Sequence, residues 1–142
     1  GAAPVRLPGA ARARVVDGGA RGNPGSAGWG AIIKDQNGEV LAELYEGIGI
    51  NTNNVAEYRG LIAALAWALA HRHKRLHVRS DSQLIVQQML GNYRVKHEGL
   101  IPLHQQARRL AAQIGQVTYE HVRREQNKEA DRLSNLGMDM NR

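Results

Sequence analysis

Two turn segments in the first 50 residues constrain this chain more than any other feature. "RVV", "WGAIIKD" and "EVLAELYEG" are joined first by the glycine-rich "DGGARGNPGSAG" and then by "DQNG", both suited to hairpin connections. Three consecutive antiparallel strands follow. The next segment, "NNVAEYRGLIAALAWALAHRHK", carries Val55, Tyr58, Ile62, Leu65 and Leu69 at helical spacing, with Asn54 able to cap its start. A long helix after three strands must return the chain to the sheet, so "RLHVRS" is predicted as a fourth strand parallel to the first.

The remainder reads as a short helix ("SQLIVQQML"), a loop ("GNYRVKHEG"), a helix over about Leu100 to Ile114, a strand ("QVTYEHV") and a closing helix, "NKEADRLSNLGM", capped by Asn127. Pro102 is tolerated in the first turn of the second long helix, and Gly115 stops it. The predicted fold is α/β: a mixed five-stranded sheet, three antiparallel strands then two parallel, flanked by helices in the order βββαβααβα. Residues 1–13, "GAAPVRLPGAARA", hold two prolines and no periodicity; they read as a flexible tail or linker remnant before a catalytic domain over 14–142.

At 142 residues the chain can bury one core, and its lack of cysteine excludes disulfide partners and thiolate metal sites. No apolar run approaches a membrane span, so a cytoplasmic protein without membrane association is expected. The net charge is +6, but Arg6, Arg12 and Arg14 supply half of it. From Val15 onward 16 basic residues face 13 acidic ones, a net of +3 that is weak support for a polyanionic partner.

Strand order makes a sharper statement. Asp17 is expected to end the first strand, Glu57 to lie in the first turn of the long helix, Asp81 to end the fourth strand, and Asp131 to lie in the first turns of the last helix. All four then face the same sheet edge. Each has an ordinary explanation alone: turn chemistry for Asp17 with Gly18, a capping box from Asn54 to Glu57, and helix-dipole complements for Asp81 and Asp131. Four like charges at one edge repel unless cations compensate them. Hard carboxylate oxygens favour magnesium or manganese, and four are enough for two ions at the about 4 Å spacing of phosphodiester displacement.

The segments "DGGARGNPGSAGWGA", "TNNVAEYRGL", "SDSQLIVQQM" and "HVRREQNKEADRLSN", in this order over about residues 14–139, resemble the type 1 ribonuclease H family. The resemblance implies a ribonuclease H-like fold and an endoribonuclease that hydrolyses the RNA strand of RNA/DNA hybrids. It also implies two Mg2+ ions, with Mn2+ able to substitute, and 3′-hydroxyl and 5′-phosphate ends. The family's four metal-binding acids fall on Asp17, Glu57, Asp81 and Asp131, and Glu57's counterpart also touches the ribose 2′-hydroxyl. Asn23, Asn53, Asn54 and Gln83 would contact the hybrid, with Thr52 near a DNA-phosphate pocket. Short amides suit a wide minor groove edged with 2′-hydroxyls. A monomer is expected, and a role as one domain of a larger polypeptide is compatible with the sequence.

Two departures stand out. "VRREQN" lacks the histidine many members carry before the last helix, leaving Glu125 as the auxiliary candidate in a loop where solvation is the readier explanation of a glutamate. "GNYRVKHEG" replaces the basic, tryptophan-bearing protrusion of some members, so Tyr93, Arg94 and Lys96 are the candidates for part of that grip, with loop solvation explaining them equally well. Trp29 and Trp67 read as packing residues, and His71 and His73 as helix-end residues explained by the dipole and solvent. "GARGNPG" lacks the lysine and helix of a P-loop. A DNA-cutting nuclease of the same broad fold is the nearest alternative, disfavoured by "TNN" and "GNPG". A non-catalytic hybrid-binding module is a second, disfavoured because no acid is missing.

Overall fold

Helices and strands occur in the order the sequence predicts, within the residues that the computed structural model describes: the backbone of 11–141 and the side chains of 18–141. Strands β1 (Ala11–Arg21), β2 (Gly25–Asp35) and β3 (Val40–Asn51) precede α1 (Asn53–Ala70) and β4 (Arg75–Ser80). Then follow α2 (Gln83–Leu90), α3 (Ile101–Ile114), β5 (Gln116–His121), a 3-10 turn at Arg124–Gln126, and α4 (Lys128–Asp139). The sheet order is β3-β2-β1-β4-β5. β2 pairs antiparallel with both β1 and β3, whereas β1–β4 and β4–β5 are parallel. No helix among the described residues is long and apolar enough to cross a membrane.

β2 is apolar on both faces because both are covered. Trp29, Ala31 and Ile33 join the main core with Tyr58, Leu61, Leu65, Leu76, Val78, Ile85, Leu100 and Ile114, while Ile32 meets Ala130 and Leu133 of α4 on the other side. α1 turns a stripe of small residues, Ala56, Gly60, Ala64 and Ala68, into the protein at a spacing of one turn and a fraction, which lets it lie close to β1. Tyr58 Oη donates to Gln88 Oε1 at 2.5 Å and ties α1 to α2 inside the core. Burial pushes that hydroxyl's pKa upward.

Several local expectations are corrected. β1 starts at Ala11, so the last three residues of the expected tail pair with Asp35, Lys34 and Ile33; residues 1–10 lie outside the described ones. At its other end β1 runs through both glycines to Arg21, because β2 offers partners as far as Ser26; Gly22, Asn23 and Pro24 alone make the turn, Gly22 at φ +81°. Asp17 therefore does not end its strand. It is level with the end of β4 instead, since Val16 pairs with Ser80.

Helix starts differ too. The cap of α1 is Thr52, whose Oγ1 accepts from Val55 N at 3.3 Å, and Asn54 is already helical. The capping box that would have explained Glu57 is thereby removed: Glu57 is the fifth helical residue. Asn127 stands at the cap position of α4, but its side chain accepts no capping hydrogen bond. His73 is 8% exposed, so solvent does not explain it; with His71 it stacks along Trp67, at ring distances of 5.5 and 3.9 Å. Thr52→Ala is expected to cost about 1 kcal/mol, a fall of about 3 °C in Tm, and Asn54→Ala less than about 1 °C. Thermal melts of the two variants check this, and an equal fall in both would contradict Thr52 as the cap.

Candidate active site

β1 and β4 are neighbouring parallel strands, and their register sets the floor of the site. Asp17 follows Val16 and Asp81 follows Ser80, the two residues that pair across the ladder, so the backbones of both acids stand at one level. The side chain of Asp17 lies outside the described residues. Glu57 is brought to the same place by Gly18, where any Cβ would collide with the backbone of Ala56 and Glu57. That contact puts the second turn of α1 directly on β1 beside Asp17. Glu57 is buried, 7% exposed.

Asp131 lies on α4, which packs on the other face of β2. A Cβ on Gly30 would lie 2.5 Å from Leu133 Cβ and Ser134 N and 2.7 Å from Ala130 O, so α4 seats closely on β2 at this glycine. Gly30 is the ladder partner of Asp17, which places the first turns of α4 across from it. Asp131 is exposed, and its carbonyl accepts from Ser134 Oγ and Asn135 Nδ2, each at 2.9 Å.

Asp81 is held by its backbone rather than by its carboxylate. Ser82, not Asp81, caps α2 by accepting from Ile85 N at 3.3 Å, and Ser82 N donates to Ser80 Oγ at 3.1 Å. His121 Nε2 lies 3.2 Å from the Asp81 carbonyl oxygen. The Asp81 side chain is 9% exposed, and its buried Oδ2 accepts no hydrogen bond among the described residues. A buried, charged acceptor without a donor is costly, and a cation is the partner that would offset it. Its one ion pair among the described residues is with Arg124, whose Nε stands 3.9 Å from Oδ2. In the sequence Arg124 carries no signal beyond its place in the basic run "VRREQN".

The candidate substrate residues divide into two groups. Asn53 Oδ1 accepts from Ala20 N at 2.6 Å, and Asn23 Oδ1 accepts from Asn53 N at 3.2 Å, so the β1–β2 turn and the start of α1 are locked together. Thr52 and Asn54 continue that strip, both partly buried. Gln83 is apart from it, exposed at the first position of α2, two residues beyond Asp81. Glu125 is exposed in the 3-10 turn, and Tyr93, Arg94 and Lys96 are exposed in the loop before α3.

Among the described residues no three His, Cys, Asp or Glu side chains gather closely enough to hold a metal ion. Asp17, central to the arrangement by register, is not among those side chains. The donors that are described, a buried glutamate, a partly buried aspartate with an orphaned oxygen and an exposed helix-start aspartate, are all hard oxygens of the kind that Mg2+ or Mn2+ takes. They fit such an ion chemically. The cavity of about 220 Å³ between α3 and β5 is not part of this site: it is lined by Met89, Arg108, Tyr119 and small residues. Burial pushes the Tyr119 hydroxyl up to about 12, with Arg108 acting in the opposite direction.

Residues 15–137 match the family described as Reverse transcriptase-like. A bifunctional protein of Mycobacterium tuberculosis is 50% identical over 125 residues, covering 87% of this chain and 34% of that protein. The chain thus spans about a third of the length of the first curated relatives it matches. Ribonuclease HI of Halobacterium salinarum is 37% identical over 123 residues, covering 87% of this chain and 62% of the relative. The crystal structure of a ribonuclease H1 in complex with an RNA/DNA hybrid, from a protein isolated from compost by a metagenomic approach, superposes with a TM-score of 0.85 at 40% identity. That match covers 91% of this chain and 96% of the other.

Proposed function

Because the chain belongs to the ribonuclease H family, we propose that it hydrolyses the RNA strand of RNA/DNA hybrids at the edge where Asp17, Glu57, Asp81 and Asp131 meet. The observation that carries this reading is Asp81 Oδ2, buried, unbonded among the described residues and level with Asp17 across the β1–β4 ladder. The relative of 40% identity solved with a hybrid supports the substrate class. Cytoplasmic location and a monomeric state belong to the same proposal, and the bifunctional mycobacterial relative supports reading this chain as a catalytic domain of a longer polypeptide.

Asp17, Glu57, Asp81 and Asp131 would hold two Mg2+ ions, or Mn2+ in their place. When bound, such ions lower the pKa of an attacking water and neutralise the oxygen that leaves. The residues of the chain do the rest. β1 and β4 bring the backbones of Asp17 and Asp81 to one level, and α1 seats closely on Gly18; Glu57, carried by that helix, would meet the ribose 2′-hydroxyl. Asn23 and Asn53, braced against each other, keep their amide NH2 groups as donors toward the minor groove. Thr52 and Asn54 extend this strip toward a DNA phosphate, and Gln83 meets the hybrid on the far side of Asp81. Glu125, on the exposed turn, is an auxiliary group for moving water or product. Cleavage at the bond to the 3′-oxygen leaves 3′-hydroxyl and 5′-phosphate ends.

The test is cleavage of end-labelled hybrid, duplex DNA and single-stranded RNA, each with Mg2+ and with chelator. The RNA strand of the hybrid is expected to be cut to 5′-phosphate fragments, with chelation bringing the rate to background. Preferential cutting of duplex DNA would show the alternative nuclease reading to be the right one.

A further inference from the structure

Among the ion pairs of the described residues, that of Arg124 with Asp81 is the one whose acid side chain is nearly buried. Arg21 reaches Asp139 at 2.7 Å and Arg132 reaches Glu43 at 2.8 Å, both as hydrogen bonds between exposed partners. Arg124 stands 3.9 Å from a nearly buried oxygen, makes no hydrogen bond to it, and leaves its own side chain 87% exposed. The contact therefore supplies charge without locking geometry.

Its position follows from how the connection between β5 and α4 is tied down. At one end Val122 N donates to the Ser80 carbonyl at 2.9 Å, and His121 Nε2 lies 3.2 Å from the Asp81 carbonyl. At the other end Asn127 is 1% exposed at the start of α4. The four residues between are coiled into one turn, with Gln126 N donating to the Arg123 carbonyl and Asn127 N to the Arg124 carbonyl. So short a bridge, fixed at both ends, carries Arg124 over Asp81 while its long side chain can swing into solvent at little cost.

We propose that Arg124 is a built-in counter-ion of Asp81 that competes with divalent cations for that carboxylate. The inference rests on the metal reading of Asp81 given above. In the cation-free protein the guanidinium offsets part of the charge on Asp81; a divalent ion on the same oxygen repels it outward. Arg124 thus sets how much cation the site needs. The neighbouring cations Arg123 and Lys128 are exposed and have no ion pair among the described residues, so they act on the site at longer range, where solvent and salt screen them.

Calorimetric titration of Mn2+ into the full chain without nucleic acid tests this with no contribution from turnover. Arg124→Gln is expected to bind Mn2+ about two- to fivefold more tightly than the native chain, the range for an exposed charge partner. Arg124→Lys, which keeps the charge, is expected to stay close to native, and Asp81→Asn to bind at least about tenfold more weakly. Unchanged or weaker binding by Arg124→Gln, alongside weak binding by Asp81→Asn, overturns the counter-ion role and leaves the metal site standing. Native-like binding by Asp81→Asn overturns both.

Discussion

Asp81→Asn is expected to lower magnesium-dependent cleavage of an RNA/DNA hybrid at least about a hundredfold, the scale of losing one group that stabilises charge in the reaction. Its Tm is expected to stay within about 2 °C of native or to rise. Three features of the structure separate these outcomes. Ser82 caps α2, so no cap is lost with the aspartate. Asp81 Oδ2 accepts no hydrogen bond among the described residues, so an amide in its place abandons no donor there. The pair with exposed Arg124 is worth little in water, whereas removing one negative charge from the proposed group of four acids relieves repulsion. A variant that cleaves at the native rate would falsify the site assignment; a fall in Tm beyond about 5 °C would return Asp81 to a structural role.

A substitution at Gly18 should be felt by the fold and the site together. In Gly18→Ala the added methyl meets the backbone of Ala56 and Glu57, which are part of a helix and cannot step aside like a flexible side chain. Overpacking of this kind costs about 1–3 kcal/mol, so Tm should drop by about 3–10 °C. Glu57 should be pushed from β1 as α1 shifts, and hybrid cleavage measured well below the new Tm should fall as well. Gly19→Ala is the matched control. Its new methyl would come no nearer than 3.9 Å to another heavy atom, so little change in either measurement is expected. If Gly18→Ala melted and cleaved like Gly19→Ala, the close seating of α1 on β1 would be wrong.

The glycines show where reading along the chain loses power. "DGGARGNPGSAG" has the composition of a turn, and most of it proves to be strand. Gly18 admits α1, and Gly28 and Gly30 admit α4, each from a part of the chain distant in sequence. A glycine kept for close packing and one kept for a left-handed turn look identical in sequence. "TNN" poses the same problem on a smaller scale: threonine and asparagine both cap helices well, and the backbone conformation at Thr52 decides between them. Asn127 occupies the cap position its type suggests, yet its buried amide makes no hydrogen bond among the described residues.

By itself the sequence determined the order of strands and helices and the antiparallel start and parallel finish of the sheet. Those follow from local periodicity, turn chemistry and the fixed hand of crossovers, none of which needs a distant contact. Tertiary structure alone decided that Asp17 is level with Asp81 in mid-strand, that Glu57 is pressed onto β1 rather than capping α1, and that Arg124 stands beside a buried carboxylate oxygen. Each of these depends on which backbones approach closely enough to exclude water and a side chain, and that distance is set by segments remote in the chain meeting across the sheet.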